Sequence, residues 1–150
     1  MNKKTKSIVE TLIYIIIMIV LAVGTPKALC YILKTEHPVA SITSGSMWPA
    51  LKKGDLVLIA GVDKSELEVG DIIVYENSIK SKQVEAFTIH RIVELNEESL
   101  KTRGDANNIS DKPIKYEKVV GKMVNVFGKP LRIPKLGKVT IWASGLGKRD

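Results

Sequence analysis

The pattern of apolar and polar residues differs between the N-terminal segment of this chain and the rest of it. Residues 11–26, between Glu10 and Lys27, are all uncharged and mostly apolar. This run is slightly short for the roughly 20 residues with which a helix crosses a bilayer. Apolar neighbours on both sides, and a Lys27 whose ammonium extends towards the headgroups, can supply the missing length. The pattern therefore predicts one transmembrane helix within residues 1–34.

From Val39 onward, apolar residues form short runs separated by Gly, Asp, Asn and Lys. Such spacing is typical of β-strands joined by turns. We expect a helical turn at 63–67 and an exposed, lysine-rich hairpin loop at 77–83. The predicted fold class is mainly β, with an N-terminal transmembrane helix followed by a compact antiparallel β domain at residues 35–150. The predicted strands are residues 39–43, 55–59, 72–75, 86–95, 100–102 and 119–126.

The charge of the chain suits an anionic partner. Lys and Arg number 23 against 16 Asp and Glu, a formal net charge of +7. Both nucleic acids and anionic membrane surfaces attract such a protein. The basic residues do not form a dense block with interleaved aromatic residues, so we expect membrane lipid as a partner and no nucleic acid.

The lysines that precede the apolar run predict its orientation. Lys3, Lys4 and Lys6 would hold the N-terminus in the cytoplasm, which puts the β domain outside. We expect a single-pass protein of the cell membrane, with the domain on the outer, extracytoplasmic face. The alternative is a cleaved secretory signal, since the run is near the upper length of such segments.

The single cysteine, Cys30, offers little chemistry. It cannot form an internal disulfide, and it has no cysteine partner or histidine cluster with which to bind a metal. A lipoprotein anchor is disfavoured because the bulky Leu29 stands where that processing expects a small residue. No cofactor or metal is indicated.

The first candidate for catalysis is the segment Ser44-Gly45-Ser46, which follows a predicted strand. Gly45 permits a sharp turn, so the Ser46 amide and the Ser44 hydroxyl can point the same way. Such a turn supplies a nucleophile together with oxyanion-hole donors, although an ordinary polar turn is the alternative. The next two residues, Met47 and Trp48, favour a surface that contacts lipid headgroups, where Trp is enriched.

A serine hydroxyl needs a base before it can act as a nucleophile. Of the two histidines, His37 lies in the predicted linker, where a solvated surface role is expected. His90 lies within the predicted strand 86–95. A lone histidine in a strand is usually structural, but its combination with Ser46 favours a catalytic pair.

Two carboxylates, Asp105 and Asp111, lie in the Gly- and Asn-rich segment 102–111. Either could hold an imidazole in the correct tautomer. Simple turn formation and calcium binding are alternatives, although the spacing lacks the pattern of an EF-hand. Asn108-Ile109-Ser110 also matches the glycosylation acceptor sequence, which is a short motif with many false positives.

Taken in order, these motifs resemble those of type I signal peptidases. The matching segments are S-G-S-M-W-P, I-H-R-I-V, R-G-D-A-N-N-I-S-D, V-V-G-K-M-V and I-P-K-L-G. Most bacterial members carry a lysine base where this chain has His90. With a histidine at this position, the chain resembles the Ser-His subgroup. That subgroup includes the enzyme of the eukaryotic endoplasmic reticulum and members from archaea and some spore-forming bacteria.

This resemblance implies a membrane-bound serine endopeptidase that removes signal peptides from preproteins, cleaving after small residues at positions −1 and −3. Residues 35–150 would be its catalytic domain, and accessory subunits are possible. Ala106 departs from the subgroup, which commonly has Asn there. The implied roles are Ser46 as nucleophile and oxyanion donor, Ser44 as second oxyanion donor, His90 as general base, Asp111 as triad acid, and Asp105 as a second required acid.

Two alternatives to this function remain. A self-cleaving repressor-type serine protease has a similar β core, but it uses a lysine base and a DNA-binding segment. The other is a non-catalytic single-pass assembly module in which Ser46 and His90 are incidental.

Overall fold

The computed structural model describes residues 3–77 and 86–143 of the chain. Helix α1 (Lys3–Leu33) continues through Pro26. Its segment Lys4–Leu33 is long and apolar enough to cross a membrane, and its most apolar window is not buried against the rest of the protein. The predicted helix is therefore confirmed as one that could span a membrane.

Most strands of the described chain belong to one antiparallel sheet of eight strands, which confirms the predicted β domain. Strands β8 and β9 form a separate two-stranded hairpin. The order in the main sheet is β1-β2-β7-β3-β4-β5-β6, and β10 also pairs with β2. The bounds are β1 Val39–Ser41, β2 Leu56–Ala60, β3 Ile72–Asn77, β4 Ala86–Leu95, β5 Ser99–Arg103, β6 Ile114–Lys115, β7 Val119–Met123, β8 Asn125–Val126, β9 Lys129–Pro130 and β10 Arg132–Ile133.

Two apolar clusters form the core of the β domain. One cluster joins β1, β2 and the Ser46 turn, and it consists of Ile42, Met47, Leu51, Val57, Ile72 and Met123. The other lies under β3, β4 and β5, and it consists of Leu67, Ile73, Tyr75, Ile92, Leu100 and Ile114. Burial on this scale is the main stabilising contribution to a domain of this size. Strand β4, which carries His90, is held between β3 and β5.

The predicted strands are found, with small changes at their ends. Strand 86–95 has the predicted bounds, whereas the predicted strand 119–126 is divided into β7 and β8. The helical turn expected at 63–67 is a short 3₁₀ helix, Lys64–Glu66. The hairpin loop expected at 77–83 lies almost wholly outside the described residues.

A second helix, α2 (Gly137–Ala143), follows β10 and was not predicted. It packs beside β1, where the Thr140 and Ser41 hydroxyls are hydrogen-bonded to each other. A Cβ on Gly137 would lie 2.5 Å from the Asp55 carbonyl oxygen, so only glycine allows this close approach. The helix therefore borders the same side of the domain as the turn after β1.

Candidate active site

Ser46 lies in a turn that follows β1 and leads into the core. Its carbonyl oxygen accepts a hydrogen bond from the Ala106 N–H at 2.8 Å, and the Trp48 N–H donates to the Gly45 carbonyl at 3.0 Å. The hydroxyl oxygens of Ser44 and Ser46 are 3.2 Å apart. Both serine side chains therefore lie on the same side of a turn that is tied to the loop 104–111.

His90 lies near the middle of β4, opposite Ile73 of β3, and its side chain is buried. Its Nε2 is 3.1 Å from the Ser46 Oγ. Its Nδ1 is 2.6 Å from the Asp111 Oδ2. The structure thus brings together the three residues that the motifs singled out, in the order hydroxyl, imidazole and carboxylate.

The loop after β5 places Asp111 beside His90. The Asp111 N–H donates to the Thr102 carbonyl at 2.7 Å, which closes the loop onto the strand. Its carboxylate also accepts hydrogen bonds from the hydroxyls of Thr102 at 2.6 Å and Tyr75 at 3.3 Å. Neither hydroxyl group was predicted from the sequence. Their positions in the alternating pattern of β3 and β5 are the only sequence signal for them.

Asp105 points to a different partner. It forms a bidentate ion pair with Arg91. The Arg91 Nε donates to Oδ1 at 2.8 Å, and the Arg91 Nη2 donates to Oδ2 at 2.7 Å. The remaining guanidinium nitrogen donates to the Gly70 carbonyl at 2.7 Å. The hydrogen bond with Asp105 raises the pKa of Arg91 above its ordinary value. Asp105 thus links the loop to the residue that follows His90 on β4.

The expectation that Met47 contacts the membrane is wrong. Only 2% of Met47 is exposed, because its side chain packs into the cluster beneath β1 and β2. Trp48, in contrast, is 60% exposed. The turn therefore uses Met47 to anchor itself in the core and leaves Trp48 available for an outside contact.

An open groove of about 620 Å³ runs along these residues. Ser44, Ser46 and His90 line it, together with apolar side chains of β1 and β4. His37 is exposed, as expected, and it also lines the groove and packs against Phe87 with ring centroids 4.8 Å apart. Thr140 and Ile141 of α2 contribute to the lining. A hydroxyl, an imidazole and a carboxylate that are hydrogen-bonded in series beside such a groove can perform acyl transfer on an extended peptide.

No protein-family model matches the chain. Curated relatives do. The chain is 34% identical over 122 residues to the signal peptidase complex catalytic subunit of Scheffersomyces stipitis, covering 77% of this chain and 70% of that protein. For the same subunit of Lachancea thermotolerans, identity is 33% over 128 residues, covering 79% and 73%. For that of Dictyostelium discoideum, identity is 32% over 90 residues, covering 57% and 48%.

The chain belongs to the type I signal peptidase family. It is a membrane-associated signal peptidase, a serine endopeptidase that removes signal peptides. This membership selects the signal peptidase over the repressor-type protease and the non-catalytic module.

Proposed function

We propose that Ser46, His90 and Asp111 form the catalytic triad of this signal peptidase. The observation that carries the proposal is the continuous row of contacts, 3.1 Å from Ser46 Oγ to His90 Nε2 and 2.6 Å from His90 Nδ1 to Asp111 Oδ2. An ionised carboxylate can only accept, so the Nδ1–H donates to Asp111 and leaves Nε2 free to accept the serine proton.

In the proposed reaction, the Ser46 hydroxyl attacks the carbonyl carbon of the scissile peptide bond while His90 takes its proton. The developing oxyanion is stabilised by the Ser46 N–H and the Ser44 hydroxyl. The 3.2 Å separation of the two serine hydroxyls supports this assignment, because the Ser44 donor lies beside the attacking atom. His90 then gives the proton to the leaving amine, and water releases the signal peptide from Ser46.

The groove is proposed to hold the residues of the preprotein just before the cleavage site. Residues of β4 and of β1, the first strand in the order of the sheet, line it, and an extended peptide binds an exposed strand edge through main-chain hydrogen bonds. Asp105 is assigned a bracing role. Its ion pair with Arg91 ties the loop that carries Asp111 to the strand that carries His90.

The proposed setting is a single-pass protein of the cell membrane, with residues 1–34 as tail and anchor. The catalytic domain, residues 35–150, would lie on the extracytoplasmic face, where preproteins emerge. The exposed Trp48 would contact the headgroups. The relatives are named as catalytic subunits of a complex, so the proposal includes accessory subunits that bind this chain. Co-purification from native membranes tests that part.

The triad is tested with the purified full chain in lipid and a defined preprotein, by sequencing the N-terminus of the product. Ser46→Ala and His90→Ala should each reduce cleavage by roughly 10³-fold or more, because residues that act as one unit fail together. Ser65→Ala, an exposed serine in the 3₁₀ turn, is the matched control and should cleave normally. The assignment fails if His90→Ala retains even half of the wild-type rate.

A further inference from the structure

We propose that the hydroxyl groups of Thr102 and Tyr75 are positioning groups, which hold the Asp111 carboxylate against His90 and thereby set the pH at which the enzyme becomes active. This inference rests on the proposed triad. It assigns to two buried side chains a role in the reaction that their packing alone does not require.

The first observation is that three donors converge on one oxygen atom. Asp111 Oδ2 lies 2.6 Å from His90 Nδ1, 2.6 Å from the Thr102 hydroxyl oxygen and 3.3 Å from the Tyr75 hydroxyl oxygen. The two hydroxyl oxygens are themselves 3.5 Å apart. Hydrogen bonds to an ionised acceptor are about twice as strong as neutral ones. The oxygen that contacts His90 is thus also held by the two hydroxyl groups.

The second observation is that the sheet itself puts these groups on one face. Tyr75 of β3 lies two residues beyond Ile73, which is opposite His90, and Thr102 of β5 is opposite Ile92, two residues beyond His90. Because side chains alternate with a period of two, all three face the same side of neighbouring strands. Both hydroxyl groups are therefore held by rigid strands, whereas Asp111 comes from a loop.

The third observation is that both groups are buried where water would otherwise compete. Thr102 is fully buried and Tyr75 nearly so. Burial raises the pKa of Tyr75, and the nearby Asp111 raises it further, so the phenol keeps its proton and remains a donor. The Asp111 side chain is 27% exposed. Without the two hydroxyls, its carboxylate is free to turn towards solvent.

The expected consequence concerns the acidic limb of the pH-rate profile. On this limb the base is increasingly protonated, and only a neutral base can accept the serine proton. A carboxylate held beside the imidazole stabilises the charged, inactive form of the ring. When Asp111 turns away, this stabilisation is lost and the limb should move to lower pH, while the maximal rate also falls because the imidazole is less well oriented.

The test uses Thr102→Val, which has nearly the same shape but no hydroxyl. The backbone bond from Asp111 N–H to the Thr102 carbonyl does not depend on that hydroxyl. We expect the rate at the optimum to fall by about 10-fold to 100-fold, with the limb displaced downward. Thr102→Ser retains a hydroxyl, and its acidic limb should therefore lie at the wild-type pH. Tyr75→Phe should show the same displacement to a smaller extent, in keeping with its longer contact.

The control for the tyrosine variant is Tyr116→Phe. It removes a hydroxyl that donates to the Asn96 carbonyl, away from the site. The acidic limb of this variant should not move. In an Asp111→Asn background, Thr102→Val should produce no further shift, because the group it positions is already lost. An unmoved or raised limb in Thr102→Val, or full additivity with Asp111→Asn, overturns the inference. The proposed triad fails separately, if Ser46→Ala or His90→Ala remains active.

Discussion

At the scale of single residues, the site depends on one position where a side chain does not fit. A Cβ on Gly104 would lie 2.6 Å from the Ser46 carbonyl oxygen and 3.0 Å from His90 Nε2. The loop can therefore cross this close to both groups only with glycine. The glycine of the R-G-D motif makes room for the serine and the histidine to meet, in addition to forming a turn.

Gly104→Ala should consequently reduce the cleavage rate more than the addition of one methyl group suggests. The new methyl group must push the Ser46 turn or the imidazole aside, and a displacement of about 1 Å can reduce a rate by roughly 100-fold. We expect the cleavage rate to fall by that factor with little change in substrate affinity. Gly70→Ala would be a poor control because its φ is positive, so Gly24→Ala in helix α1, where nothing lies within 4 Å, is preferred. Normal cleavage by Gly104→Ala would contradict the tight packing.

The two acids should differ in how they affect the pH profile. Asp111→Asn removes the carboxylate that stabilises the imidazolium, so the acidic limb should move to lower pH and the rate should drop by orders of magnitude. Asp105→Asn breaks the ion pair with Arg91 and should lower activity through loop order without moving the limb. Cleavage rates measured across pH decide this. The roles would be exchanged if only Asp105→Asn displaced the limb.

Residue by residue, the sequence predicted the chemistry better than the packing. Ser46 and His90 were singled out because each residue type suits a distinct chemical step, whereas Asp111 was preferred to Asp105 only through the family resemblance. Met47 was misjudged since an apolar residue beside a turn can face either lipid or core, and only the tertiary structure decides. Thr102 and Tyr75 were missed because a hydroxyl in a strand has many possible partners.

At the scale of elements, the helix α1 is joined to the β domain by a close backbone contact. The Gly61 N–H donates to the Leu33 carbonyl at 2.7 Å, at the last residue of the helix. A Cβ on Gly61 would lie only 2.0 Å from the Lys34 carbonyl oxygen. This contact sets where the chain leaves the helix and enters the domain.

Gly61→Ala should therefore weaken the junction. Forcing a methyl group against backbone costs about 1–3 kcal/mol, so we expect a lower unfolding temperature of the domain in detergent. The matched control is again Gly24→Ala, which has space for its methyl group. Equal unfolding temperatures for the two variants would mean that the junction relaxes without cost.

Long elements were predictable and short ones were not. Helix α1 contains a long uncharged run and strand β4 is a ten-residue stretch rich in apolar residues, and the positions of both were predicted closely. The two-residue strands β6, β9 and β10 have no period to detect, because their pairing depends on partners elsewhere in the chain. Helix α2 follows a Pro- and Gly-containing segment, where turns are the usual expectation.

At the scale of the whole molecule, the buried Asp55 connects the start of the domain to its end. Its carboxylate accepts hydrogen bonds from Arg132 of β10 at 2.8 Å and from the Lys52 N–H at 3.1 Å. Burial alone would raise the pKa of Asp55, but these hydrogen bonds outweigh it and lower the pKa below its ordinary value. The ionised carboxylate therefore contributes stability.

This contribution should depend on pH in a defined direction. A carboxyl whose pKa is lowered by folding stabilises the folded state above its unfolded pKa, near 3.9, and loses this effect as the pH falls towards its folded pKa. Asp55→Asn should lower the free energy of unfolding by about 2 kcal/mol at neutral pH, and the difference should shrink below about pH 4. Glu117→Gln, at an exposed position, is the control. A difference independent of pH would exclude the ionised pair as its cause.

The orientation of the whole chain in its membrane is the last point that can be tested. Lys3, Lys4 and Lys6 precede the apolar run of helix α1, and positive residues are retained on the cytoplasmic side. Protease added to the outer face of intact cells should therefore remove a tag attached at Asp150 and spare one attached at Met1. Replacing the three lysines with glutamate should increase the fraction of inverted molecules, while cleavage of preproteins falls in proportion. The opposite protection pattern in the wild-type chain would put Ser46 on the side that translocated signal peptides do not reach, and would contradict the proposed setting.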